Sequence, residues 1–241
     1  MTDLIFLLSS FVAQLVGTLA GFGSATVLTP VATFIMNIKA AIAIVALFHL
    51  FGNLSKVWVF RGKVHWPLFW QFGLASLLFT AAGAVLHHYL PLVLLKTIFG
   101  GFLVFFVVVS LIHPTFGLKA SPKVSILGGA SSGFVAGLIG TGGAIRSAFL
   151  TAFHLDKETY IATSALIAAV IDLTRIPIYL YGGAFQGFEK LYLIPLLIVV
   201  AFVGAKIGKR IVKKLSQTLF RRFVLTFLFV IGCKFLWEGI F

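Results

Sequence analysis

The sequence predicts an all-α, polytopic membrane protein built as two inverted repeats, each holding three spanning helices and one broken or re-entrant helix. Three observations carry that expectation. The 241 residues are 60% hydrophobic and only 10% charged, with a mean hydropathy of +1.11, whereas a soluble domain carries about 25% charged residues. The apolar residues fall into eight long blocks, and a bilayer core about 30 Å thick needs roughly 20 apolar residues per helical span. Barrel strands would instead alternate in segments of about 10 residues. Finally, the second half of the chain repeats the first: "GFGSA" at 21–25 falls on "GTGGA" at 140–144, and "ALFHLFGNLSK" falls without a gap on "ALIAAVIDLTR", both at an offset of 119 residues.

The blocks cover about 4–35, 40–60, 67–89, 92–112, 124–153, 159–181, 191–210 and 219–237. Block one is too long for a simple span and is broken by "AGFGSAT". Blocks two, three and four are ordinary helical spans. Block five repeats the over-long pattern and is broken by "IGTGGAI". Blocks six, seven and eight are again ordinary. Within the duplication, residues 1–115 form the first repeat, 116–123 a linker and 124–241 the second repeat. Together they make one transmembrane domain, a plan characteristic of secondary transporters.

Charge sets the direction of the halves. The connector between blocks seven and eight holds Lys206, Lys209, Arg210, Lys213, Lys214, Arg221 and Arg222, and such clusters stay in the cytoplasm. The preceding connector, "GGAFQGFEK", is nearly neutral and belongs outside. In the first half the pattern flips, with Arg61 and Lys63 after block two, and Lys96, His87 and His88 around the next connector. Equivalent connectors on opposite sides require an odd number of crossings per half. Re-entrant hairpins at blocks one and five satisfy this, with both hairpin tips near mid-membrane and both termini outside the cell membrane.

The excess of 19 Lys and Arg over 6 Asp and Glu, +13 in all, is explained by those loops. No nucleic-acid partner is expected. The expected partners are the lipid bilayer and a small anionic substrate, and the sequence leaves a homodimer open. The single Cys233 excludes an intrachain disulfide, and the first residues lack the basic start of a secretory signal. No metal-ligand spacing or P-loop is present, and no cofactor is expected. "GASSG" at 129–133 fits the G-x-S-x-G pattern of hydrolases, but that pattern needs a strand–turn–helix elbow. Here Gly129, Gly133 and Gly137 recur every four residues in an apolar helix, which is the spacing of close helix packing.

The glycine turns are the candidate site. A turn that opens a new half-helix leaves backbone N–H groups free at the positive end of the helix dipole, and such an end attracts anions. Gly21, Gly23 and Ser24 in the first copy, with Gly140, Thr141, Gly142 and Gly143 in the second, are therefore candidate substrate ligands. Arg146 joins them, because a cation deep in an apolar block is costly unless it is paired or hydrated. Close packing of the glycines and a structural ion pair at Arg146 are the competing readings. Asn53 and Lys56 recur as Asp172 and Arg175, and each cation is three residues after its partner, on one helix face. Asp172 can neutralise Arg175, while Lys56 keeps its charge. These four are candidate pathway or gate residues, against the alternative that both cations snorkel to the interface. His49 and Asp172 are candidates for proton coupling.

On these residues the sequence resembles the TauE/SafE family of membrane transporters, the sulfite exporter superfamily, over nearly its whole length. The resemblance rests on the duplicated plan and on "AGFGSATVLTP" and "GLIGTGGAI". Gly21, Gly23 and Pro30 match the family's glycine-rich turn and following proline. The second copy has Gly140, Gly142 and Gly143 but Phe149 at the proline position, and Ser24 stands where a third glycine is common. The resemblance implies a non-enzymatic secondary transporter moving sulfite, sulfoacetate, taurine or a related sulfur anion by alternating access. An anion channel of the same plan, or a membrane binding or assembly subunit without transport, are the alternatives.

Overall fold

Each of the two over-long blocks breaks where glycine was expected to break it, into one long helix and one short one. The computed structural model describes residues 2–20, 23–112, 118–184, 192–211 and 217–240, and among them there is no strand. Block one is α1 (Thr2–Ala20) and α2 (Ala25–Ala32), and block five is α6 (Pro122–Ile139) and α7 (Gly143–Leu150). The ordinary blocks are α3 (Ile38–Val59), α4 (Trp66–Tyr89), α5 (Leu92–Ile112), α8 (Lys157–Tyr181), α9 (Leu193–Ile211) and α10 (Gln217–Ile240). By length and composition α3, α4, α5, α6 and α8 can each cross a membrane. Leu78, Phe105 and Leu111 are exposed although apolar, as lipid-facing residues are.

Local chemistry sets the helix starts. Asn37 accepts the Ala40 N–H to cap α3, and Ser121 accepts the Val124 N–H to cap α6 just before Pro122. Asp156 caps α8 by accepting N–H bonds from Thr159 and Glu158 at 3.0 and 3.1 Å. The bonds from Thr159 hold its carboxyl below the usual carboxylate range. α6 stops because Gly140 takes φ +81°, a left-handed conformation that suits glycine. Gly23, in the first turn, also takes a left-handed φ, +87°.

The packing places the hairpins at opposite ends of the bundle. α4 and α6 lie side by side in the same direction: Cβ atoms added at Gly129, Gly133 and Gly137 would each stand 2.3 Å from the carbonyl oxygens of Phe72, Ser76 and Thr80. α6 therefore starts at the end where the chain passes from α3 to α4. After Gly140 the chain doubles back, so that Phe149 lies against Gly128. α8 then starts at that same end, with the His65 N–H donated to Thr163 and Lys63 4.0 Å from Glu158. Block one does the reverse. It leads into α3 at the α4–α5 end, where Lys39 donates to the His88 carbonyl. There the ring of Phe34 meets Lys234, which pairs with Glu238, itself bound to Lys96 of α5.

The tips reach different depths. Gly23 stands against His49, the twelfth of the 22 residues of α3, but Gly140 stands against Ile42, the fifth. The first turn is thus level with the middle of α3, and the second lies beyond it. Length does not set this difference, because α1 has 19 residues and α6 has 18. The hairpins still meet, through a 2.6 Å hydrogen bond between Thr26 and Thr141.

The glycine contacts give a direct stability test. Gly133→Ala puts a Cβ against the Ser76 carbonyl and is expected to destabilise by about 1–3 kcal/mol, the usual cost of overpacking. Gly101→Ala, whose Cβ would find its nearest neighbour at 3.8 Å, should be close to neutral. Melting temperatures in detergent, compared for the two variants, check both.

Candidate functional site

Arg146 is on α7, close behind the second turn, and is 4% exposed. Its Nε donates to Ser164 Oγ of α8 at 3.0 Å. Its Nη2 faces the first turn, 4.0 Å from where a Cβ on Gly23 would lie. Among the described residues only its Nε is seen in a hydrogen bond. Arg146, Lys56, Asn53 and Gly23 line one cavity of about 50 Å³, together with Gly17, Tyr160 and Ser164. Both hairpins and both central helices, α3 and α8, contribute to it. Two cationic side chains line this space, and no carboxylate does among the described residues. Tyr160 is held in place by a 2.6 Å bond to Ser147.

Four residues singled out from sequence thus share the cavity: Gly23, Asn53, Lys56 and Arg146. Ser24, Gly140, Thr141, Gly142 and Gly143 build the turns around it. Ser24 precedes α2 without a side-chain capping bond, Thr141 bonds Thr26, and the Gly142 carbonyl accepts from Ser132. Gly142 also passes so close to α6 that a Cβ there would be 2.1 Å from the Ser132 oxygen. Gly21 lies outside the described residues. Gly17, Tyr160 and Ser164 were not found from the sequence. A signal for two of them existed: Tyr160 and Ser164 precede Asp172 at four-residue steps, through Ala168, and so share one face of α8.

Asp172 and Arg175 form the pair that their spacing suggested. Asp172 Oδ1 meets Arg175 Nη2 at 2.8 Å and Nε at 3.0 Å, and both residues are at most 1% exposed. Arg175 therefore does not snorkel. Asp172 Oδ2 lies 2.8 Å from His49 Nδ1, and Asn53 contacts the same ring. The remaining arm of Arg175 reaches the end of α6: Nη1 donates to the Ala136 carbonyl at 2.8 Å. Tyr179 donates its hydroxyl to the Gly137 carbonyl, and His87 Nδ1 stands 2.8 Å from the Leu138 carbonyl. The last turn of a helix leaves its carbonyls unpaired and carries the negative end of the dipole. Three side chains thus answer three successive carbonyls, of which that of Ala136 also accepts the Gly140 N–H at 3.0 Å, and buried non-helical backbone needs such partners.

Beyond this polar layer is a second cavity of about 330 Å³ at the α4–α5 end, whose lining includes Lys39, His87, His88 and Tyr179. Tyr179 belongs to both the layer and the cavity wall.

The fold and the site define a multi-pass helical membrane protein with a cationic cavity between two glycine-broken helices. The sequence matches the model of the Sulfite exporter TauE/SafE family over residues 6–235, and the chain belongs to that family of membrane transporters. Neither the curated proteins nor the solved structures include a match to it.

Proposed function

We propose that the protein is a secondary transporter moving a small anion, a sulfur oxyanion or organosulfonate such as sulfite, sulfoacetate or taurine, across the cell membrane by alternating access. The observation that carries this reading is the cavity in which Arg146 and Lys56 converge with no carboxylate among the described lining residues. A cation buried without a partner costs several kcal/mol, and an anion seated between these two offsets that cost. Family membership supports sulfur as the central atom.

The hairpins support the inverted repeat, since one enters and leaves by each end of the bundle. Arg61, Lys63, Lys123 and Lys157 cluster at the α3–α4 end, which supports a cytoplasmic assignment for it and outside termini. In that orientation Asn53 and Lys56 border a cytoplasmic cavity. The layer of His49, Asp172, Arg175 and Tyr179 closes the way to the outer one, the role of a gate. His49 also connects the two, because Nδ1 binds Asp172 while Nε2 faces Gly23, a geometry suited to coupling proton movement to occupancy.

Flux in proteoliposomes tests the reading. Labelled sulfite, sulfoacetate or taurine should enter saturably and exchange against unlabelled anion on the other side. Flux confined to carboxylates would overturn the substrate class, and an unsaturable conductance would make the protein a channel.

A further inference from the structure

We infer that the outer cavity is a second binding station, selective for small anions that also carry an N–H or O–H donor, the aminosulfonate class among them. The inference rests on the transport reading only for its choice of sulfur anions. The cavity itself has its own chemistry. Its volume of about 330 Å³ accommodates a ligand of several heavy atoms, whereas the inner cavity of about 50 Å³ suits a compact ion. Lys39 supplies charge: its ammonium carries three donors, of which one goes to the His88 carbonyl at 2.8 Å. Among the described residues no carboxylate lines the space. Asn37, which caps the start of α3, also lines it, and the positive end of a helix dipole favours an anion nearby.

His87 supplies the selectivity. It lines the cavity and is 2% exposed. Its Nδ1 stands 2.8 Å from the Leu138 carbonyl oxygen, which can only accept, so Nδ1 carries the proton. In the neutral ring that leaves a lone pair on Nε2, and Nε2 is buried without a hydrogen-bond partner among the described residues. An unmatched buried acceptor is unfavourable, and a ligand donor relieves it. A cation beside an unmet acceptor complements an anion with its own donor, such as the sulfonate and amine of taurine. A sulfonate lacking a donor satisfies only Lys39. The layer of Asp172, Arg175 and Tyr179 lies between this station and Arg146, so the two can fill independently.

Equilibrium binding of labelled taurine to the purified full chain, with ethanesulfonate as the donor-less comparator and sulfite as the compact anion, tests this. Taurine should bind at a site that Lys39→Ala weakens at least tenfold and Arg146→Ala leaves within twofold. Ethanesulfonate should bind there at least tenfold more weakly than taurine, and Lys39→Arg should retain most of the affinity. An unchanged melting temperature of the empty variant excludes misfolding. A taurine site indifferent to Lys39, or equal affinity for ethanesulfonate, overturns the inference. If sulfite still binds through Arg146 in that event, the transport reading stands without it. If taurine binds through Lys39 while no sulfur anion crosses the membrane, the station stands and the transport reading falls.

Discussion

Arg146→Ala, reconstituted in liposomes, is expected to carry a labelled sulfur anion at least 100-fold more slowly at subsaturating concentration than the parent protein. The estimate takes both Nη groups of Arg146, a residue lining the cavity, to bond the anion. Charge-assisted hydrogen bonds contribute about 1.5–3 kcal/mol each, and every 1.4 kcal/mol is about tenfold. Arg146→Lys keeps the charge but loses the planar fork, so an intermediate rate is expected. The empty Arg146→Ala protein should melt no lower than the parent, because the substitution removes a buried charge that is in no ion pair among the described residues. A cation serving only structure would give the opposite pattern, with lowered melting and preserved flux.

Asp172→Ala is expected to be the most damaging single change for stability. It strands Arg175, 1% exposed, with the Ala136 carbonyl as its remaining close acceptor, and takes the partner from His49. Breaking a buried pair on one side costs about 3–5 kcal/mol, which for a chain of this size lowers the melting temperature by roughly 10 °C. Replacing both members, Asp172→Ala with Arg175→Met, removes the stranded charge and should recover part of the loss. Recovery stays partial because Arg175 also answers the Ala136 carbonyl at the end of α6. A single-variant drop below about 2 °C, under roughly 1 kcal/mol, would mean that the layer does not hold the break.

Much of this architecture could be read from residue order, for reasons that are local. Runs of apolar residues locate helices because spanning length is set by the bilayer, and Gly23 and Gly140 mark the breaks because they take left-handed φ. The offset of 119 residues pairs Asn53 with Asp172 and Lys56 with Arg175, but it does not say which of them meet one ligand. Lys56 enters the inner cavity, whereas Arg175 turns away to the end of α6. That divergence depends on the angle between α8 and α6, which no spacing encodes. Tyr160 and Ser164 escaped notice because their repeat counterparts, Ala41 and Val45, are apolar, so the duplication that revealed the turns concealed them. His87 looked like a loop histidine near a connector, and only the path of α6 beside α4 brings it to the Leu138 carbonyl.

The most direct test of the central claim, an anion seated between the glycine-broken helices against Arg146, is a melting curve of the purified protein with and without ligand. A ligand that binds only the folded state at about 100 times its Kd adds about 2.7 kcal/mol, or roughly 5–10 °C here. Sulfite, the compact anion that suits the inner cavity, should raise the melting temperature of the parent by that much and leave Arg146→Ala unmoved. Stabilisation by carboxylates alone, or an equal rise in Arg146→Ala, would contradict the account.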